Sequence, residues 1–403
     1  MAGPGEEDQL TGPGAPGTPG GAGVDAVRSQ ALEVARGWSP PDAPPSWALT
    51  AAIFALLADD EGLAGIAAGV PTERLPALVF AAAACYLIEE AAPAGLVDYF
   101  PVGDRPPLPL DAGFAPAFRA FCLAHRPGLA ALCGTRHYQM NEVGRSTQVA
   151  LALGVLGERL GGRAVALVDL GTGAGLGLHP DRYGYRLSDG RRFGDRTSPL
   201  QLCCEVRGPL APPVPDHLPP IAAREGVDLA PVDLADPGPR RWLRACVPPE
   251  QASRARFDQA AAIAVAHPCP LHQGDAVRAL PELLHRVPAD QVPVVVDTYT
   301  AVFLTAEERV GLLGALAREG QGRDLAWISL DPLVPLGTEG RDSVQDLPVP
   351  PAVVADSRTH GVLALLGLVW VGGGHQEGTL LAAAHPSGTR ITWLDPPTAT
   401  RGT

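Results

Sequence analysis

Lysine is missing from this 403-residue chain, because all 31 of its Lys and Arg residues are arginine. A Walker-type phosphate loop needs a lysine that reaches the β- and γ-phosphates. Pyridoxal phosphate enzymes and other Schiff-base enzymes need a lysine amine. The absence of lysine therefore excludes these classes of protein.

Clustered positive charge and long apolar runs are also scarce. The net charge is −13, and the longest basic runs are the pairs 191–192 and 240–241, whereas a nucleic-acid groove needs clustered cations to neutralise phosphates. The apolar runs 77–88 and 361–371 are shorter than the roughly 20 residues that cross a bilayer, and no signal-peptide layout opens the chain. We expect a cytoplasmic protein with no nucleic-acid or membrane partner.

Metal-binding and hydrolase motifs are lacking as well. The seven cysteines are scattered without a Cys-x-x-Cys pair, which favours neither a disulfide framework nor a thiolate zinc site. The histidines do not form HExxH or a comparable spacing, so we predict no bound metal. The chain has no Gly-x-Ser-x-Gly elbow, which disfavours an α/β-hydrolase.

Composition divides the chain into three parts. Residues 1–45 are rich in glycine, proline and alanine, which predicts a disordered tail. Residues 46–148 carry apolar side chains at helical spacing, which predicts an all-helical domain that serves as a lid. In residues 149–400, nearly continuous apolar strands alternate with helices, which predicts an α/β domain with a mainly parallel sheet covered on both faces.

The predicted elements of this α/β domain follow from its pattern. Strands are predicted at 164–170, 200–206, 269–275, 292–299, 324–330 and 361–372. Helices are predicted at 146–160, 251–266, 276–286 and 306–318. One hairpin is predicted over 183–195, and another one, which turns at 386–388, closes the sheet with an antiparallel edge.

The first strand leads into a glycine-rich turn. Asp169 ends the strand, and Gly171, Gly173 and Gly175 follow in the pattern acid-x-Gly-x-Gly-x-Gly. Glycine permits a tight turn and lets a ligand approach the backbone closely. A dinucleotide fingerprint would need its third glycine at Leu176, so a nicotinamide dehydrogenase fits less well. A purely structural turn is the alternative.

The pattern resembles that of class I S-adenosylmethionine-dependent methyltransferases, over residues 161–400. The resemblance implies a Rossmann-like, mainly parallel, seven-stranded sheet in which Asp169 orients the loop and the amino acid end of the cofactor. It further implies that Glu205 holds the ribose hydroxyls, that Asp275 contacts adenine, and that Asp297 lies where the methyl group meets its acceptor. Because an unusually long interval separates the turn from Glu205, a solvated strand-end charge is the alternative there.

A narrower resemblance covers most of the chain. The segments "NEVGRS" at 141–146, "DRYGY" at 181–185, "DLADPGPRRWLRACVPPEQ" at 233–251 and "QGDAV" at 273–277 resemble an actinobacterial family that is catalogued as a domain of unknown function. This resemblance implies a fold but no activity. The turn "GTGAGLGL" differs from the serine-alanine turn usual in that family and is closer to an ordinary methyltransferase loop.

A polar cluster of His137, Tyr138, Asn141, Glu142 and Arg145 interrupts the apolar helical region. Arginine can hold a carboxylate in a bidentate fork, so Arg145 is a candidate to bind the cofactor or an acidic substrate, with Tyr138 and Asn141 beside it. Glu142 and His137 are candidate bases, and Glu142 is also a candidate to hold the cofactor amine. An ion pair between Glu142 and Arg145 at helical spacing is the structural alternative.

Tyr299 completes the candidate residues, because its hydroxyl follows Asp297 closely and could orient an acceptor or accept a proton, although a packed tyrosine is the alternative. The sequence thus predicts a methyltransferase-like enzyme that uses S-adenosylmethionine on a small molecule, with a homodimer left open. One alternative uses the same pocket for cyclisation, elimination or rearrangement, since a fold does not fix a reaction. The other is a non-catalytic binding or assembly protein.

Overall fold

The computed structural model describes residues 21–39, 43, 45–102, 106–332, 343–344, 347–360, 363–373 and 375–394. The chain divides into two compact units, Met1–Tyr138 with Pro248–Gln251, and Gln139–Val247 with Ala252–Thr403. The boundary thus falls ahead of the one between residues 148 and 149 that the sequence predicts. None of the helices in the described ranges is long and apolar enough to cross a membrane.

The first unit is helical over its described residues. Its α-helices are α1 (Val24–Gly37), α2 (Ala48–Asp59), α3 (Glu61–Ala67), α4 (Pro76–Ala91), α5 (Phe114–Ala124) and α6 (Arg126–Thr135). Helix α4 begins at Pro76, whose fixed φ suits a first helical position, and its run of alanines has the highest helix propensity. Ten of its residues are buried, so α4 forms the centre of this unit.

Helix α1 lies within the segment that the sequence assigns to a disordered tail. Val27, Ala31 and Ala35 are buried at a spacing of four residues, which places them on one face of the helix. This apolar face consists mainly of small side chains and lies between a glycine-rich segment and a proline-rich one. The composition of the segment therefore gives no sign of this apolar face. The prediction of a disordered tail is wrong for residues 24–37.

The second unit contains a large mixed sheet. Its strands are β1 (Val165–Leu170), β2 (Gly184–Leu187), β3 (Arg192–Gly194), β4 (Gln201–Arg207), β5 (Ile221–Asp228), β6 (Leu271–Gln273), β7 (Val292–Thr298), β8 (Leu325–Pro332), β11 (Ala364–Gly372), β12 (His375–Ala384) and β13 (Arg390–Trp393). They lie in the order β3-β2-β4-β13-β12-β11-β8-β7-β1-β5-β6, and β9 (Ser343–Val344) pairs separately with β10 (Leu347–Pro348). The described sheet therefore has eleven strands rather than the expected seven.

Parallel and antiparallel strands occupy different parts of this sheet. The strands β6, β5, β1, β7 and β8 are parallel neighbours. Beyond β8, the strands β11, β12 and β13 are antiparallel, and the chain between β1 and β5 supplies the far edge, β4, β2 and β3. The sheet is mostly parallel, as the sequence predicts, and both predicted hairpins are confirmed. The expected antiparallel edge at the second hairpin is wrong, because β13 lies inside the sheet and pairs in parallel with β4.

The helices of this unit are α7 (Ser146–Leu160), α8 (Pro237–Cys246), α9 (Gln251–Ala266), α10 (Ala276–Arg286), α11 (Ala306–Glu319) and α12 (Pro351–His360). Helices α7, α8 and α9 pack on one face of the sheet, with Leu167 of β1 and Val296 of β7. Helices α10 and α11 pack on the other face, with Val168 and Trp327. Side chains alternate between these faces along each strand, so the residue number decides which face a strand residue lines.

Candidate functional site

The glycine turn lies at the carboxyl end of β1. Gly171, Gly173 and Gly175 have φ values of +69°, +57° and +74°, a backbone region that favours glycine. A β-carbon at Gly171 would lie 2.2 Å from Oγ1 of Thr300, and one at Gly173 would lie 2.6 Å from Oδ1 of Asn141. These two glycines therefore make room for side chains of the protein itself.

The backbone amides of the turn all have acceptors within the chain. The amides of Gly171 and Thr172 donate to the Val227 carbonyl, and that of Gly175 donates to the Thr172 carbonyl. Two side chains accept the remaining amides, Asp228 from Gly173 at 2.9 Å and Asn141 from Ala174 at 3.3 Å. A phosphate-binding turn needs free amides, so this geometry disfavours a pyrophosphate ligand.

A polar cavity of about 50 Å³ opens beside the turn. It is lined by the ends of β1 and β7, by the turn, and by the segment that precedes α7. Its polar lining includes Asn141, Glu142, Arg145, Asp169, Thr172 and Thr298. The structure thus brings together residues that the sequence separates into a cofactor turn and a polar cluster. We refer to this space as the Asp169 cavity.

Asp169 is a buried carboxyl group with an altered proton affinity. It faces the α7 side of the sheet and is 5% exposed, and the Thr172 hydroxyl donates to it at 2.7 Å. Burial raises the pKa of Asp169 to about 7, with the Thr172 hydrogen bond opposing the shift and the carboxylates of Asp297 and Asp228 adding to it. A carboxyl group that titrates near neutrality in a cavity is a candidate for ligand binding or proton transfer.

Arg145 is a buried cation, 4% exposed, on the same cavity. Its Nε donates to the Pro386 carbonyl at 2.7 Å, another guanidinium nitrogen contacts the sulfur of Met140, and its Cζ lies 3.9 Å from the centre of the Tyr299 ring. Among the residues that the structure describes, no carboxylate pairs with Arg145. Its charge is therefore balanced only by a carbonyl, a thioether and an aromatic face.

Glu142 takes a different part in the segment before α7. Its Oε1 accepts from the Gly144 amide at 2.9 Å and lies 3.4 Å from the Arg256 guanidinium. The ion pair between Glu142 and Arg145 that the sequence leaves open as the structural alternative is therefore replaced by separate partners. His137 and Tyr138 belong to the helical unit, while Asn141, Glu142 and Arg145 belong to the second unit, so the predicted polar cluster is divided between the two units.

The assignment of Glu205 to the second strand of the parallel sheet is wrong. Glu205 lies on β4, and five other strands lie between β4 and β1 in the sheet. Its carboxylate pairs with Arg207 at 3.0 Å and with Arg390 at 3.5 Å. The strand β5 is a direct neighbour of β1, and Asp228 is the last residue of β5. Glu205 is the strand-end charge that the sequence leaves open as its alternative.

Sequence reasoning missed β5 because its pattern "IAAREGVD" has two charged residues and a glycine in its middle and a third charged residue at its end. Inside the sheet, Arg224 pairs with Asp181, Glu225 pairs with His272, and Gly226 leaves room for the Thr172 side chain. The charges are thus satisfied by residues distant in sequence. The valine and aspartate at its end are the one signal that matches the end of β1.

We expect Asp228 and Glu205 to differ in their effect on ligand binding. If the resemblance to S-adenosylmethionine-dependent enzymes extends to the cofactor, the Asp228→Asn variant should weaken its binding by at least about ten-fold, since a charged acceptor contributes on the order of 1.5–3 kcal/mol. Glu205→Gln should leave the dissociation constant unchanged within about two-fold. Isothermal titration of both variants measures this, and equal losses of affinity would contradict the assignment.

Asp297 lies on the opposite face of the sheet from Asp169. Its carboxylate accepts from the indole Nε1 of Trp327 at 2.7 Å and from the Ser329 hydroxyl at 3.3 Å. Burial and the neighbouring Asp297 carboxylate raise the pKa of Asp331 well above its usual range. The direction of the Asp297 side chain therefore does not support the prediction that Asp297 lies at the methyl group. The residue belongs to a buried polar network.

Tyr299 and Asp275 are the remaining residues that the sequence assigns to the site. Tyr299 has a φ of 61°, and its hydroxyl is buried without a hydrogen-bond partner among the described residues. Burial raises the pKa of Tyr299 above its usual range, so its hydroxyl stays protonated and is suited to donate a hydrogen bond rather than to act as a base. Asp275 is the N-cap of α10 and accepts from the Arg278 amide at 2.9 Å.

Together, the fold and the Asp169 cavity define an α/β protein with a polar cavity at the carboxyl ends of parallel strands. The chain belongs to the bacterial family described as "Uncharacterized protein conserved in bacteria (DUF2332)", whose model matches residues 25–393. No curated protein and no solved structure matches the chain.

Proposed function

We propose that the chain binds S-adenosylmethionine in a Rossmann-like, methyltransferase-type domain and transfers its methyl group to a small molecule. The parallel strands support this, because β5 and β6 follow β1 on one side while β7 and β8 follow on the other. Ligands of open α/β sheets bind outside the carboxyl ends of the strands at such a switch point. The glycine turn lies at that point.

The observation that carries the proposal is the pair of buried ionisable groups in the Asp169 cavity. Asp169 and Arg145 both line it, each is at least nine-tenths buried, and neither has a partner of opposite charge among the described residues. The free α-amino acid end of the cofactor carries one ammonium and one carboxylate. Asp169 suits the ammonium, Arg145 suits the carboxylate, and about 50 Å³ is comparable with that group alone.

The other residues near the turn have side chains that are chemically compatible with the cofactor. Asp228 ends the neighbouring strand, where a carboxylate can accept from ribose hydroxyls, and it already holds the Gly173 amide. Asn141 lies against Gly173, so a ligand that crosses the turn must contact or displace this side chain. The residues present therefore fit the cofactor, with Asn141 as the group that adjusts.

Each residue at the site then has a separate role. When bound, the cofactor supplies an electrophilic methyl group. Asp169 and Arg145 hold its amino acid end, and Glu142, on the same cavity, is the carboxylate available to take a proton from an acceptor. The protonated Tyr299 hydroxyl can donate a hydrogen bond. Positioning of the acceptor is the main contribution that such a transfer needs from the protein.

A second candidate is a protein that binds a ligand here without methyl transfer, either for other chemistry or without catalysis. The closure of the turn favours it, because Asn141 and Thr300 cover Gly173 and Gly171 and every amide of residues 171–175 is bonded internally. The Asp169 cavity is also smaller than the roughly 300–1,000 Å³ of typical ligand pockets. An amino acid would fit it without the rest of the cofactor.

Isothermal titration with S-adenosylmethionine, S-adenosylhomocysteine, free methionine and NAD separates these candidates. We expect the first two to bind in the micromolar range, with affinity reduced at least about ten-fold in Asp169→Asn, because removing a buried charge partner loses on the order of 1.5–3 kcal/mol. The control is Asp297→Asn, a buried acid on the other face of the sheet, which should bind as the wild type does. Binding of methionine alone would support the second candidate, and binding of none would refute the proposal.

A further inference from the structure

A second cavity, of about 90 Å³, lies against another part of the glycine turn. Gly175 forms one wall, and the segment after β5, the end of α9 and the start of β6 form the others. Its lining is mainly apolar, with Val232, Leu234, Ala264, Pro268 and Leu271. We refer to this space as the His179 cavity, after the buried histidine that lines it.

His179 is the polar group that distinguishes this cavity. It is 2% exposed, and its Nδ1 is buried without a hydrogen-bond partner among the described residues. Its Nε2 lies 3.8 Å from the sulfur of Cys269, which also lines the cavity. A buried nitrogen without a hydrogen-bond partner destabilises the fold, so a ligand group that hydrogen-bonds to Nδ1 would remove this penalty.

The charge of the lining limits the class of ligand. Burial, with the Arg224 guanidinium adding to it, lowers the pKa of His179 to about 4, so the imidazole is neutral at physiological pH. Burial also raises the pKa of the Cys269 thiol. Asp233, the charged residue on the lining, accepts from the Ala235 amide at 2.9 Å. The walls therefore suit an uncharged group and offer no cation to a phosphate.

Size and shape complete the argument. A dry cavity of about 150 Å³ can hold benzene. The cavity of about 90 Å³ is smaller but open on one side, so it suits a flat ring that inserts partly and leaves one edge toward solvent. Apolar walls would contact the faces of such a ring, and the neutral imidazole can donate to or accept from a ring nitrogen. An uncharged heteroaromatic ring meets both requirements.

We propose that the His179 cavity binds an uncharged heteroaromatic ring, and that this ring is the purine base of the ligand whose amino acid end occupies the Asp169 cavity. The identification of the base rests on the proposed function, while the ring site itself rests on the His179 cavity. Both cavities use the glycine turn as a wall. Asp275, which caps α10, is then not the residue that recognises the base.

The test uses adenine as the probe, with adenosine and S-adenosylmethionine as larger ligands of the full chain. Saturation-transfer NMR detects weak binding, and ¹⁵N-histidine spectra report directly on Nδ1 of His179. We expect adenine to shift the His179 resonances. His179→Phe keeps a flat ring without its nitrogens and should weaken adenine binding at least ten-fold. Ala264→Leu, which fills the cavity and keeps the histidine, should do the same.

The matched control is His285→Phe, the same substitution at an exposed histidine in the last turn of α10, which should leave adenine binding unchanged. Thermal unfolding of each variant checks that it folds. If S-adenosylmethionine binds in an Asp169-dependent way but neither His179→Phe nor Ala264→Leu weakens adenine binding, the ring site is refuted and the proposed function stands. If adenine shifts His179 but S-adenosylmethionine does not bind, the ring site stands and the proposed function fails. Absence of both refutes both.

Discussion

Replacing Asp169 by asparagine is expected to stabilise the protein, increasingly so as the pH rises. The folded protein keeps the proton of Asp169 up to its pKa of about 7, whereas an ordinary aspartate loses its proton near 3.8. The wild type therefore loses stability as the pH rises from about 4 through 7. We expect the advantage of Asp169→Asn to grow by about 3 kcal/mol between pH 4.5 and pH 8, since one pKa unit is worth about 1.4 kcal/mol.

Urea unfolding of both proteins at pH 4.5, 6 and 8 measures this difference. The same variant should lose affinity for S-adenosylmethionine, so stability and binding are expected to change in opposite directions. An acid that destabilises the fold and supports binding has the character of a functional residue. A stability difference that stays constant across this pH range would show that Asp169 titrates normally and would remove the argument.

The second large effect concerns the contact between the hairpin turn and the start of α7. Gly388 has a φ of +71°, and a β-carbon there would lie 2.1 Å from the carbonyl carbon of Gly144. We expect Gly388→Ala to lower the free energy of unfolding by about 3 kcal/mol or more, because a left-handed alanine and an overpacked contact each contribute roughly 1–3 kcal/mol. Urea unfolding at pH 7 measures the change.

Gly157→Ala is the matched control, because Gly157 lies within α7 and a β-carbon there meets nothing within 4 Å. It should stabilise the protein by about 0.5–1 kcal/mol, since glycine is a poor residue inside a helix. If Gly388→Ala unfolds within about 0.5 kcal/mol of the wild type, the hairpin turn does not pack on Gly144. The structural account of that glycine would then be incorrect.

This contact gives a physical reason for part of the "NEVGRS" segment. Gly144 admits the Ser387 carbonyl, since a β-carbon would lie 2.2 Å from that oxygen, and Arg145 and Gln148 donate to the carbonyls of Pro386 and Gly388. The turn thereby fixes the start of α7 and the position of the Arg145 side chain. Asn141 accepts from the Ala174 amide of the glycine turn, whereas Glu142 accepts from the Gly144 amide within its own segment.

Predictions from sequence succeeded where the signal was local. The bounds of α9 and α10 are confirmed at Gln251–Ala266 and Ala276–Arg286, and the hairpins over β2–β3 and β12–β13 are confirmed too. Apolar periodicity and turn residues are read within a short window. Helix α1 and strand β5 were missed, because small residues form the buried face of α1, and β5 carries charges that pair with residues far away in the sequence.

The sequence by itself determined the absence of lysine-dependent chemistry, the helical first part, the alternating α/β second part, and the acid followed by a glycine turn. Only the tertiary structure decided the neighbours of these elements. It placed Asp228 rather than Glu205 at the end of a strand beside β1, and it brought Arg145 and Asp169 to one cavity. It also placed Asp297 on the opposite face of the sheet from Asp169. The physical reason is that strand order and side-chain direction depend on contacts between residues far apart in the chain, while a sequence pattern records only contacts within one element.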